Sequence, residues 1–150
     1  MTVNRKTRRD RLVLHLTTDL TGTGNPVESV FGYDKRNFDG QSPVVIVLSE
    51  GTMRSPFGMG SGLYDAPMRF VILSFVREAD EEAGITAKNT EDDLDNVEAA
   101  IADSIMAHRK DIPHWYNLMF LGEFSTIVPA LVGGKPYKME QMIVQAEVKD

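Results

Sequence analysis

Apolar positions along this 150-residue chain change period several times, and each change marks an element. From Arg5 to Leu20, residues Leu12, Val13, Leu16 and Leu20 recur at helical spacing and predict one buried stripe. Thr21-Gly22-Thr23-Gly24-Asn25-Pro26 ends that helix. Val27 to Tyr33 then reads as a strand with Val27, Ser29 and Phe31 on one face, and Asp34 to Ser42 as a polar, turn-like segment around Asp39-Gly40. Pro43 opens the continuous apolar run Val44 to Leu48, the pattern of a central strand covered on both faces. Ser49 to Pro67 is rich in Gly, Ser and Pro and reads as a long loop carrying Phe57, Met59, Leu63 and Tyr64. Apolar residues in a loop of that length favour ordering against a partner.

Met68 to Arg77 predicts a third strand, and Glu78 to Asn89 a polar connector. A second helix is expected from Thr90, where Thr90 with Asp93 resembles a capping box. Acidic Glu91, Asp92 and Asp93 suit its positive N-terminal end, and His108, Arg109 and Lys110 its C-terminal end. Its buried stripe is Leu94, Val97, Ile101 and Ile105, and Pro113 stops it. The last third reads as one long β-hairpin. Trp115 to Val132 runs out, Gly133-Gly134-Lys135-Pro136 turns, and Tyr137 to Lys149 returns with Met142, Val144, Ala146 and Val148 on one face. Strands of that length exceed what a domain of this size needs for its own core, so the ribbon is expected to overshoot and reach a neighbour. The order predicts a single α+β domain over residues 1–150, with a long loop at 49–67. Its mostly antiparallel sheet of about five strands is flanked by two α-helices and ends in the long C-terminal hairpin.

Composition narrows the function more than the fold. There is no cysteine, which excludes a disulfide framework and a thiolate zinc site. No stretch approaches a membrane-spanning run, and the basic N-terminus lacks a signal-peptide apolar core, so a non-exported protein is expected. The net charge of −6 is unevenly placed. Arg5, Lys6, Arg8, Arg9 and Arg11 crowd the start, while Glu78 to Asp103 is strongly acidic, with Lys88 its only basic residue. The chain therefore has a basic and an acidic pole. Each suits a solvated face, and each could also meet its complement on another copy. A helix start disfavours cations, so the basic cluster is not there for helix stability; a partner or a solvated tail would account for it.

Catalytic patterns are sparse. Gly58-Met59-Gly60-Ser61-Gly62 lacks dinucleotide-loop spacing, and Gly134-Lys135 is followed by Pro136 rather than the Ser or Thr of a phosphate-binding loop. His108, Asp111 and His114 have loose metal-ligand spacing, but Pro113 falls between the last two; histidines favoured at a helix end are the simpler account. No serine lies in a nucleophile-elbow pattern. His15 sits inside the first helix beside its apolar stripe and reads as structural. No aromatic residue interleaves Arg5 to Arg11, which weakens a nucleic-acid reading.

Nearly the whole chain resembles, in element order and relative lengths, the tail terminator family of long-tailed bacteriophages. The resemblance is carried by Asp92-Asp93-Leu94-Asp95-Asn96-Val97-Glu98 leading to Ile101 and Ile105, then Val128-Pro129, Gly133-Gly134, Tyr137 and Glu140. A helix, two strands, a long loop and Met68-Arg69-Phe70-Val71-Ile72 match in the first half. Gly51 to Pro67 and the basic start match no family motif. The resemblance implies a structural virion protein of the tail and neck region, assembled in the host cytoplasm, without catalytic residues, cofactor, metal or membrane. Such proteins form a ring, typically a hexamer, on the head-proximal end of the tail tube. The implied partners are further copies of the chain, the tail tube protein, the head-connector or stopper protein, and genomic DNA sliding through the lumen without specific binding. The expected contact residues are Phe57, Met59, Leu63, Tyr64, Val128, Val132, Gly133, Gly134, Tyr137, Asp92 and Asp95. Three alternatives stay open: another neck, head-completion or tube component; a small metal-dependent enzyme; and a nucleic-acid-binding module.

Overall fold

A computed structural model describes residues 4–56 and 64–148. The first helix, α1 (Arg5–Leu20), is capped by Asn4, whose side-chain oxygen accepts from the Thr7 backbone N–H at 3.2 Å. Leu12, Leu16 and Leu20 are its buried face. Each such leucine contributes about 1.5–3 kcal/mol by leaving water. Three strands follow before the second helix: β1 (Ser29–Phe31), β2 (Val44–Thr52) and, after a short pair β3 (Ser55–Pro56) and β4 (Tyr64–Asp65), β5 (Met68–Arg77). The expected loop at 49–67 is therefore shorter, because Ser49 to Thr52 continue β2 against Phe70 to Met68.

The second helix, α2, spans Ala87–Ala107 and starts earlier than Thr90. The Thr86 hydroxyl accepts from the Asn89 N–H and the Asn89 side chain accepts from the Thr86 N–H, both at 3.1 Å. That is a capping box with Asn in place of the usual Glu or Gln. Thr90 is instead buried, and its hydroxyl donates to the Arg77 carbonyl at 2.9 Å, tying the helix to the end of β5. Glu91 to Asp93 lie beyond the first turn, which contains no acidic residue. The stripe Leu94, Val97, Ile101 and Ile105 is buried as expected. The helix ends at Ala107, ahead of Pro113.

The C-terminal region departs most from the sequence pattern. Trp115 to Val132 is not one strand but two, β6 (Asn117–Phe120) and β7 (Thr126–Val132), and both pair with β8 (Lys135–Glu147). Five residues, Leu121 to Ser125, loop out where β8 advances only by Met142 and Ile143. The turn is Gly133-Gly134, with φ of +57° and +78°, the two-residue turn whose twist suits a hairpin. A side chain at Gly133 would also lie 2.6 Å from Asn37 Oδ1.

The sheet order is β1-β2-β5-β8-β6, with β7 beside β6 on the same edge of β8, and every pairing except β1–β2 is antiparallel. The α+β class with two helices on a mostly antiparallel sheet is as read from the sequence. The hairpin, however, does not overshoot. β5 covers β8 from Tyr137 to Ala146, so only the turn end projects beyond it. Both helices pack on one face, where Leu16, Val97 and Ile101 meet Val45, Ile72 and Val144. The other face is closed by Phe38, packed edge-on against Phe75 and Tyr137.

Removing the cap should separate the two capping assignments. Thr86→Ala is expected to cost about 1 kcal/mol in chemical denaturation, whereas Asp93→Asn should cost little, because Asp93 is exposed and the cap is made by Thr86 with Asn89. A loss at Asp93 with none at Thr86 would restore the later helix start.

Candidate functional site

Two places concentrate chemistry or exposed apolar surface. The first is a joint between the helices. They run antiparallel, so that His15 on α1 stacks on His108, the residue capping α2, with ring centroids 3.6 Å apart. Each ring has its own carboxylate: His15 Nε2 lies 2.6 Å from Asp111 and His108 Nε2 lies 2.9 Å from Asp19. Asp19 also accepts from the Ser104 hydroxyl at 2.6 Å, and Asp111 from Arg11 Nε at 2.8 Å. The Arg11 guanidinium, followed by His15, holds the Asp111 carboxyl down at about 2. Trp115 donates from its ring N–H to the His108 carbonyl at 2.8 Å and fixes the segment after α2.

The His108–Asp111–His114 ligand set suggested by spacing is not assembled. His15 takes the place next to Asp111, while His114 sits beside Trp115, its pKa lowered chiefly by burial. Among the described residues, no group of three or more His, Asp or Glu side chains is arranged to hold a metal ion. The joint fastens α1 to α2. The basic start belongs to the same fastening. Arg5 reaches Thr52, Arg8 the carbonyls of Pro113 and His114, Arg9 Ser49, Arg11 Asp111, and Lys6 pairs with Asp10 on its own helix. All five make contacts within the chain, so the cluster is part of the folded helix rather than a frayed tail.

The second place is a trough between α2 and the last two strands. The looped-out Leu121 to Ser125 opens a groove of about 490 Å³ lined by Glu98, Ala102, Phe120, Phe124, Thr126 and Met142. Next to it, the alternation of β7 puts Ile127, Pro129 and Leu131 on the helix side of the sheet. Phe124 is fully exposed, Leu131 is 75% exposed and Ile127 53%. Large apolar residues grouped in this way mark contact surfaces more often than solvated ones. The α2 wall is acidic, with Glu91, Asp95 and Glu98 at helical spacing and Glu91 paired to Lys138. Beneath it Glu140 is buried, hydrogen-bonded by the Ser125 hydroxyl at 2.5 Å. Its pKa is raised, chiefly by burial.

The expected contact residues are scattered by the fold. Phe57, Met59 and Leu63 lie outside the described residues, and Tyr64 is described only through its backbone pairing with Pro56. Tyr137 is a core residue, 1% exposed, donating to the Gln41 carbonyl at 3.0 Å, so it presents nothing to a partner. Gly133 and Gly134 serve the turn, and Val132 packs on the second core. Val128 is half-buried on the face away from the helices. Asp92 is exposed and paired with Lys88, while Asp95 belongs to the trough wall. Sequence reasoning passes over Phe124, Ile127 and Leu131. In Thr126-Ile127-Val128-Pro129-Ala130-Leu131-Val132 both faces are apolar, so alternation alone cannot say which is uncovered.

No family model matches the chain, and no curated protein matches it in sequence. Among the described residues, no helix is long and apolar enough to cross a membrane.

Asp111 gives a pH signature. Its folded pKa is depressed, so its stabilisation is present above the unfolded value near 4 and is lost as pH falls from there towards about 2. Asp111→Asn should lower stability at neutral pH by about 1–2 kcal/mol, a figure trimmed for solvent around Arg11, and flatten the acid limb of the stability curve. Equal acid limbs for the two proteins would count against the joint. Glu140 should behave in the opposite sense. Glu140→Gln keeps an acceptor for Ser125 and removes a buried charge, so it should leave stability unchanged or raise it by up to about 1 kcal/mol at pH 7. The gain should shrink in acid as the wild-type carboxyl takes up its proton, and a marked loss at pH 7 would contradict this account.

Proposed function

We propose that this chain is a self-associating structural protein whose copies close into a ring of the phage tail terminator kind. The observation that carries the reading is the exposed apolar set Phe124, Ile127 and Leu131 on and just before β7, the first of them lining the trough with Glu98 of α2. Surface of this kind is stabilised by covering it, and a second copy is the most available cover. The resemblance in element order supports the ring in particular, as does the α+β architecture that carries those elements.

In this role the copies stack on the last ring of tail tube protein, stop its growth and offer their far side to the head connector. A net negative ring suits a lumen through which DNA slides, because it attracts no phosphate. On this reading the histidine joint holds the subunit rigid, with His15 largely buried between the helices.

Light scattering of the purified protein, with negative-stain images of the same sample, tests the reading. Closed rings of roughly six copies are expected, the closed form of head-to-tail contact. Leu131→Glu should shift the mass towards monomer while leaving circular dichroism unchanged, since that side chain is exposed. Long open tubes would favour a tube component instead. A monomer at every concentration that also fails to cap purified tail tubes would overturn the proposal.

A further inference from the structure

Ring closure needs two different patches per subunit, each complementary to the other. The described surface carries such a pair, one beside the middle of α2 and one just past its C-terminal end. Its 21 residues span about 31 Å. Along its middle, on the β7 side, is the trough, with Asp95 and Glu98 facing Glu140, whose cross-strand neighbour is the exposed Ile127. At the far end, the antiparallel helices bring the basic start of α1 to the segment that follows α2, as the Arg8–His114 and Arg11–Asp111 contacts fix. Arg109 and Lys110 are exposed there, and Ile112 stands 66% exposed beside them.

We infer that a second copy seats its Arg109-Lys110-Ile112 end in the trough between α2 and β7, so that subunits join head to tail through two different surfaces of the α2 region. This identifies the contact on which the ring reading above depends. Each patch has an apolar centre with charge at its rim, the anatomy of a specific interface, and the rims are of opposite sign. A copy that met its own kind of patch would set carboxylates against carboxylates, or cations against cations. Like-charge juxtaposition therefore disfavours a two-fold dimer through either patch and leaves the head-to-tail arrangement. Sheet extension is a poorer route. The two-residue turn makes Val132–Lys135 a hydrogen-bonded pair, so the backbone groups of residues 127, 129 and 131 point to the open edge of β7. The middle one is Pro129, which has no N–H to offer. Side-chain packing in the trough has no such gap.

The experiment is a charge exchange read by sedimentation equilibrium. Asp95→Lys alone and Lys110→Glu alone should each raise the apparent dissociation constant about tenfold or more, and the combined variant should recover most of the loss. Added salt should weaken wild-type association as well. Both positions are exposed, so each variant should fold, which circular dichroism checks. If the wild type assembles while the single reversals leave its mass unchanged, or the combined variant recovers nothing, the contact assigned here is wrong and the ring stands on another. If the wild type assembles under no condition, even on tail tubes, the ring reading itself fails and this contact with it.

Discussion

Strand β8 has partners on both edges along almost its whole length, and most of the molecule is arranged around that condition. Its inner residues Met142, Val144 and Ala146 supply the middle of the helix-side core, opposite Ile72, Phe70 and Met68 across the ladder with β5. Its other edge receives β6 and β7 in turn. A 13-residue strand flanked in this way cannot shift register by one position without turning an entire apolar set to the wrong side. The helices therefore dock on a surface that is already fixed. The joint of His15, His108 and their two aspartates then sets the helices against one another.

Much of this is legible in the chain, and the parts that are not have physical reasons. Periodicity locates α1, β5 and the stripe of α2, because those segments have one buried face and one wet one. It misplaces the start of α2 because Thr90 with Asp93 and Thr86 with Asn89 both read as caps at the same spacing. Only the backbone shows that Thr90 is needed inside the helix, where its hydroxyl holds Arg77. The pattern overstates the hairpin for a related reason. An apolar run from Trp115 to Val132 has no punctuation strong enough to reveal the excursion at Leu121 to Ser125, although Gly122 and Ser125 fall within it. The candidate surface is the least legible part, since it lies beside that excursion and along a strand with two apolar faces. The acidic wall of the trough can be read from the residues alone; its floor cannot.

The five basic residues of α1 illustrate how a charge run changes meaning once folded. In the sequence they mark a pole; in the structure the four arginines fasten α1 to β2 and to the segment after α2, while Lys6 pairs with Asp10 on its own helix. Their cost at a helix start is offset by hydrogen bonds to oxygen atoms that the fold brings within reach. The outward-facing positive charge at that end is then supplied by Arg109 and Lys110. Polarity along α2 thus survives folding, carried by different residues.

Two features at the sheet edges bear on the proposed closed ring. Beyond Ile46, β2 has no strand on its β1 side among the described residues, and there Glu50 is an extra residue that breaks the ladder register between Ser49 and Gly51. Bulges of this kind twist an edge away from pairing. At the opposite edge Pro129 removes the central outward donor of β7. With β2 and β7 interrupted at these points, a partner gains less there from strand addition and relies more on side chains with a defined direction. Contacts of that kind fix the angle between neighbouring subunits, and a fixed angle is what lets a head-to-tail chain of copies return to its start rather than grow as a sheet.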